Sequence, residues 1–319
     1  MSLVPRTLAL LRSPVVRWAF LLAAVALAVV AVASSWDEVR AAAAGMPAAH
    51  LAAAAAAAAV FVWCTFQSWR ALLADLGSSL PLGPAVTVFG VSQVGKYVPG
   101  GVWNVVAAAE IGADHRVPRA RSLAAMALSV LVGVVSGCVV AAVSLPLAGA
   151  GALGRWEWLV WCSPLLVVLL LPPVLGRLVG LALRLLRRGE PERPLSWGGL
   201  GRAVGWAVLG WVVAGLHVWA LASGLGLAPS VRSAALAVGG YALAWVAGFV
   251  VVLVPAGAGV REAVLLALLA GSLPHAQVLL VVLLSRVLLT AVDLAFAVAG
   301  LAVRRDRRRR PPVAAAPEG

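Results

Sequence analysis

Apolar residues dominate stretches of this chain near 16–35, 48–73, 122–145, 158–176, 203–225, 234–254 and 276–303. Each is about long enough for a helix to cross a hydrocarbon core roughly 30 Å thick. Between them lie apolar segments too short to cross unaided, 84–98, 99–112 and 258–272, which predict half-helices or re-entrant elements. The pattern breaks twice where Pro and Gly stand beside charge: Gly95-Lys96-Tyr97-Val98-Pro99-Gly100-Gly101, and Val254-Pro255-Ala256-Gly257-Ala258-Gly259-Val260-Arg261-Glu262. A bilayer admits interrupted backbone and charge only where protein or a polar cavity surrounds them, so each break marks a protected interior site. One break in each half points to a transporter built on a repeat. The expected fold is all-α: a polytopic helical membrane protein with about seven to eight membrane segments plus short broken or re-entrant helices.

Composition agrees with that class. Of the 319 residues 63% are hydrophobic, and mean hydropathy is +1.01. The net charge of +13 resembles a nucleic-acid footprint. Its arginines, however, gather in short segments between apolar runs and at the ends, which is the positive-inside pattern, so no nucleic-acid partner is expected. Cys64, Cys138 and Cys162 sit in apolar surroundings without metal or disulfide spacing and read as small core residues. His50, His115, His217 and His275 are scattered and form no ligand set, and no cofactor is expected.

Arginine counts also set the topology. The N-terminal segment, Arg116–Arg121, the linker 177–202 and the tail Arg304–Arg310 are basic and should be cytoplasmic, whereas 36–46, 146–157 and 226–233 should face outward. Both termini are therefore placed in the cytoplasm, in a multi-pass protein of the cytoplasmic membrane. That arrangement requires 84–112 to enter and leave on the cytoplasmic side, and 258–272 to help complete a crossing as the continuation of a broken helix. One transmembrane domain over 1–303 is expected, with halves near 16–176 and 203–303, followed by a basic, disordered tail at 304–319. Arg6, Arg12 and Arg17 before an apolar run ending Ala31-Val32-Ala33 resemble a signal peptide, but the run is long for one and a retained first helix is expected.

Six ionisable residues lie in or beside the apolar segments: Lys96, Glu110, Arg261, Glu262, Arg286 and Asp293. A charge at the centre of a membrane helix costs about 2.5–3.5 kcal/mol on insertion scales, so ion pairing between helices is the plain expectation for each. Arg286 and Asp293, seven apart, share one helix face about 10 Å from each other and need partners elsewhere, with Glu262 and Arg261 the candidates. If a helix starts near Val260, Glu262 suits its first turn and Arg261 does not, since the macrodipole disfavours a cation there. A cation at that place becomes reasonable where it and the free N–H groups share an anion such as phosphate. Lys96 repeats the arrangement before a helical stretch starting near Val102, and it is the only lysine in a chain whose other basic residues are arginine. Tyr97, Trp103 and Asn104 are placed to line the first break.

The two motifs, with Ser285-Arg286 and Asp293, resemble the lysylphosphatidylglycerol synthetase transmembrane-region family from about Trp18 to Val303. The resemblance implies a lipid-translocating domain of about eight membrane segments acting on phospholipids or lipid-linked sugars. By motif position it carries substrate contact to Lys96, Pro99, Gly100, Gly101, Pro255, Gly257, Gly259, Arg261, Glu262 and Arg286. Ala256 departs from the pattern, standing where a second glycine is common. The chain is expected to be a stand-alone member without the soluble synthetase domain, so the transferase chemistry does not carry over.

The expectation is thus a lipid flippase without catalytic residues. Lys96 and Arg261 would hold a lipid phosphate, Asn104 would line the site, and Glu110, Glu262 and Asp293 would balance charge or meet a cationic headgroup. Its partners are membrane lipids, anionic or bearing phosphate, and a homo-oligomer or a membrane enzyme partner fits as well. The alternatives are a non-catalytic scaffold for an envelope-lipid or glycosyl-transfer system, a membrane transferase, and a proton-coupled carrier.

Overall fold

The computed structural model describes residue 33 and residues 36–97, 103–149, 158–185, 194–250 and 259–309. The first apolar stretch apart from residue 33, and with it the question of cleavage, lies outside these residues. So do Pro99, Gly100, Gly101, Pro255 and Gly257, and linker residues 186–193.

Among the described residues five helices are long and apolar enough to cross a membrane: α2 (Ala48–Asp75), α5 (Arg119–Leu147), α8 (Trp197–Gly224), α9 (Val231–Val250) and α11 (His275–Arg309). Shorter helices stand between them: α1 (Trp36–Ala44), α3 (Leu82–Gln93) with a 3-10 turn at Val94–Tyr97, α4 (Trp103–Ala113), α6 (Trp158–Leu169), α7 (Pro172–Leu185) and α10 (Val260–Leu269). The protein is thus an all-α multi-pass membrane protein. Its outer surface carries exposed Val143, Trp161, Leu165 and Val298, side chains suited to acyl chains. The stretch 158–176 is not one continuous helix. It divides at Leu170–Leu171 into α6 and α7, because Pro172 and Pro173 lack the N–H groups that would continue the ladder.

Lipid tails are as apolar as Leu, so in a bilayer helix association relies on close packing and interhelical hydrogen bonds more than on apolar burial. The long helices show both. The alanine run of α2 buries Ala54 and Ala58 on the face that continues to Val62, and further along the Ser68 hydroxyl donates to the Ala203 carbonyl of α8 at 2.9 Å. Helix α3 lies against α11 where Gly90 meets the Phe296 backbone, and Thr87 donates to the Gly300 carbonyl at 3.0 Å. Helices α5 and α9 meet at Gly137 beside Val246 and at Gly239 beside Leu145.

One face of the bundle gathers the arginine-bearing loops. Arg121 bonds the Gly77 carbonyl at 2.9 Å, Arg304 bonds Asp114 at 3.0 Å, and the Ser196 hydroxyl and N–H at the start of α8 both donate to Asp75 at the end of α2. These contacts put the end of α2, the 114–118 turn, the start of α8 and the end of α11 at the same level. Helix α11 continues through the basic run to Arg309. At the opposite face a shallow cleft brings together Glu38 of α1, Gly224 and Leu225 at the end of α8, and Pro274 and Gln277 around the start of α11.

This arrangement positions the described helices on either side of both breaks. Helices α3 and α4 enter from the arginine-bearing face and return to it, each roughly 16–18 Å long, so the 3-10 turn Val94–Tyr97, the described tip of this hairpin, and the start of α4 lie inside the bundle. Helix α10 starts beside Tyr241, halfway along α9, and runs only roughly 15 Å to the opposite face. The two short elements therefore approach the interior from opposite faces of the bundle.

Candidate functional site

Between the 3-10 turn Val94–Tyr97 and the start of α10 the bundle forms a partly open cavity of about 430 Å³. Its walls are largely aromatic and aliphatic, with Phe61, Phe89, Trp211, Trp245 and Leu289 among them. Polar groups converge on it from several elements, among them Gln93, Lys96, Tyr97 and Asn104 from the α3–α4 hairpin, Arg261 from the start of α10, and Arg286, Thr290 and Asp293 from α11. A largely apolar pocket with a few convergent polar groups is the usual form of a small-molecule site.

Glycine allows each tip to form. At Gly95 a side-chain Cβ would stand 2.6 Å from the Asn104 backbone N, so the two arms of the α3–α4 hairpin touch only because nothing projects there. Gly95→Ala is expected to cost about 1–3 kcal/mol of stability through forced separation of the arms, read as a lower melting temperature of the purified protein. Gly259 caps α10 with φ of +87°, a conformation that L side chains rarely adopt. Its N–H donates to the Glu262 carboxylate at 2.6 Å, which places the acid in the first turn, where the helix dipole favours it.

The charges are apportioned through α11. Arg286 Nε lies 3.4 Å from Glu262, tying α10 to α11 as the spacing suggested. Asp293 pairs otherwise than expected: its partner is Lys96, with Nζ 2.6 Å from Oδ2, and Tyr97 donates its hydroxyl to the same oxygen at 2.7 Å. The reason is distance along α11. Asp293 lies two turns beyond Arg286 toward the arginine-bearing face, level with Lys96 and Tyr97, whose ammonium and hydroxyl take up its Oδ2. One helix thus ties down both broken elements, with opposite polarity at each.

Arg261 is treated differently. It is 8% exposed and lines the cavity, and its guanidinium donates to the Tyr241 hydroxyl while lying 4.6 Å over that ring. Among the described residues no carboxylate lies within 4.0 Å of it. A guanidinium has five N–H donors in a planar fork, and a single neutral hydroxyl occupies little of that capacity. Behind Tyr241, His217 packs edge to face on its ring at 4.9 Å and shares a 2.8 Å hydrogen bond with Ser285, so the wall that supports Arg261 is itself held.

Of the residues read from sequence, Lys96, Asn104, Arg261, Arg286 and Asp293 come together at the cavity, and Gly259 and Glu262 build the α10 tip beside it. Glu110 stands apart. It lies in the last turn of α4 at the arginine-bearing face, where both its oxygens accept from Arg119 at 2.9 Å, with the two side chains 59% and 55% exposed. Trp103 is exposed and does not line the cavity. Sequence reasoning missed Tyr241, although a signal existed: the chain has only two tyrosines, and each hydrogen-bonds a charged residue here.

Comparison with curated proteins finds no match. The family model described as "Lysylphosphatidylglycerol synthase TM region" matches residues 16–297, which takes in both breaks, helices α1 to α10 and α11 as far as residue 297. The chain therefore belongs to the lysylphosphatidylglycerol synthase transmembrane-region family, a membrane region linked to lipid synthesis and transport.

Proposed function

We propose that the protein is a lipid flippase or lipid transporter that carries a phosphate-bearing headgroup through the cavity between its two broken elements. The observation that supports this reading most is Arg261, a buried cation with no carboxylate partner among the described residues, set at a helix N-terminus that faces an internal cavity. A cation and free backbone N–H groups at one helix start favour an anion, and a phosphate oxyanion matches the guanidinium fork. The local charges agree: Lys96, Arg261 and Arg286 stand against two carboxylates, Asp293 and Glu262. A volume of about 430 Å³ suits a headgroup and leaves the acyl chains in the surrounding bilayer.

In this reading the arginine-bearing face is cytoplasmic, both termini lie on that side, and the membrane is the cytoplasmic one. The half-elements that reach the cavity from opposite faces alternate in opening it, as in transporters built on inverted repeats. The protein's own groups bind and release the lipid and form no bond with it.

The test is a scrambling assay in proteoliposomes with fluorescent phospholipid in both leaflets and a membrane-impermeant quencher outside. The wild type should expose the inner-leaflet lipid, and Lys96→Ala/Arg261→Ala should do so at least about tenfold more slowly, the loss of one or more charged hydrogen bonds. Equal rates would remove these residues from the site. Stable capture of a membrane enzyme, with no scrambling by the wild type, would favour a scaffold instead.

A further inference from the structure

The two ion pairs on α11 are not equivalent. Glu262 is doubly engaged, by Arg286 and by the Gly259 N–H at the start of α10, so the Arg286–Glu262 pair is built into a helix cap. Lys96 sits on the hairpin tip with its side chain 32% exposed, and Asp293 is its only carboxylate partner among the described residues. Both donors on Asp293, the Lys96 ammonium and the Tyr97 hydroxyl, come from that tip and converge on one oxygen, Oδ2. An ammonium carries three rotatable donors on a flexible stem and changes partner at small geometric cost, unlike a guanidinium held in a fork.

We propose that Asp293 is a built-in stand-in for the ligand: it holds Lys96 and the hairpin tip against α11 while the cavity is empty, and a lipid phosphate bound at Arg261 displaces it from Lys96. This rests on the lipid-transport reading and adds its regulation. The groups facing Asp293 fit the exchange. Lys96 and Tyr97 come from the tip, Thr290 and Arg286 from its own helix, and Arg261 and Tyr241 line the same cavity from α10 and α9, whereas Glu262 is committed elsewhere. When the phosphate arrives, the carboxylate loses its ammonium and the tip is held on α11 by the Tyr97 hydroxyl alone. Binding and loosening of the hairpin become one event. The competition also keeps affinity low enough for release, since a ligand shifts a two-state element only by its differential affinity for the two states.

The test is a double-mutant cycle on full-length protein in dodecyl-maltoside micelles, which carry no phosphate, titrated with dihexanoyl-phosphatidylglycerol. Asp293→Asn should tighten binding about tenfold by freeing one charge-assisted partner, and Lys96→Met should weaken it by a similar factor. In Lys96→Met/Asp293→Asn the gain from Asp293→Asn should vanish, because its beneficiary is gone. A gain that survives undiminished in the Lys96→Met background, or no gain in the single variant, overturns the proposal.

A second readout leaves Asp293 intact. Lys96 is the only lysine, so reductive ¹³C-dimethylation gives one side-chain NMR signal beyond that of the terminal amine. The lipid should shift this signal in wild type and leave it unmoved in Arg261→Ala; a signal that ignores the lipid in wild type contradicts the exchange. Failure of the parent reading looks different, with Arg261→Ala binding lipid as well as wild type. Inorganic phosphate titrated in parallel separates the sources: a lipid site responds to the lipid at no more than about one tenth of the phosphate concentration. An equal response would make the ligand a free anion and overturn the lipid-driven exchange.

Discussion

Arg261→Ala is expected to reduce lipid scrambling by about tenfold to a hundredfold with little loss of stability, because it removes a charged donor set worth about 1.5–3 kcal/mol to a bound phosphate. Stability should be nearly spared for a physical reason. The buried guanidinium contributes one hydrogen bond and a ring contact, so its removal breaks no ion pair among the described residues and leaves behind a neutral tyrosine. Arg261→Lys should recover only part of the rate, since an ammonium keeps the charge and loses the planar fork that matches phosphate. Tyr241→Phe should fall between wild type and Arg261→Ala, because it frees the guanidinium from its one protein hydrogen bond and no longer aims it. These outcomes are read from initial rates, with the melting temperature measured in parallel.

Glu262→Ala is expected to have the opposite profile, a large loss of stability that precedes any question of transport. Its carboxylate caps α10 through the Gly259 N–H and also pairs with Arg286. The pair is about three-quarters buried, with side-chain exposures of 25% and 24%. Its rupture should therefore cost less than the roughly 3–5 kcal/mol of a fully buried pair, about 2 kcal/mol. Loss of the cap adds about 1 kcal/mol. Glu262→Gln should be milder, since its amide oxygen still accepts from Gly259 while the charge is lost. Thermal unfolding in detergent checks both, and equal melting temperatures for Glu262→Ala and wild type would show that the α10 tip is not held in this way.

The features that define the site differ in how far a sequence reveals them. Lys96 and Arg261 stand out because charge beside Pro and Gly in an apolar chain has few physical excuses. Arginine counts predict the sidedness of the two broken elements, and the contacts of Arg121 and Arg304 bring the ends of α2, α4 and α11 to one common face. Partner choice is another matter. Asp293 takes Lys96 from nearly two hundred positions away because the hairpin tip and α11 meet at that level, a consequence of tertiary placement that no local pattern encodes. Glu110 misleads for the converse reason: within an apolar run it looks buried, yet α4 is short and ends at the membrane face, where Arg119 and solvent both reach it. The proline pair at 172–173 is legible but easily overridden by an unbroken apolar run, and the backbone obeys the prolines.

Native mass spectrometry of the purified protein measures directly what Arg261 does. Wild-type protein should retain one phosphate-bearing lipid per chain through detergent exchange, and Arg261→Ala, equally folded, should lose it. Equal lipid retention by the two proteins would contradict the assignment of Arg261 as the phosphate-holding residue of the cavity.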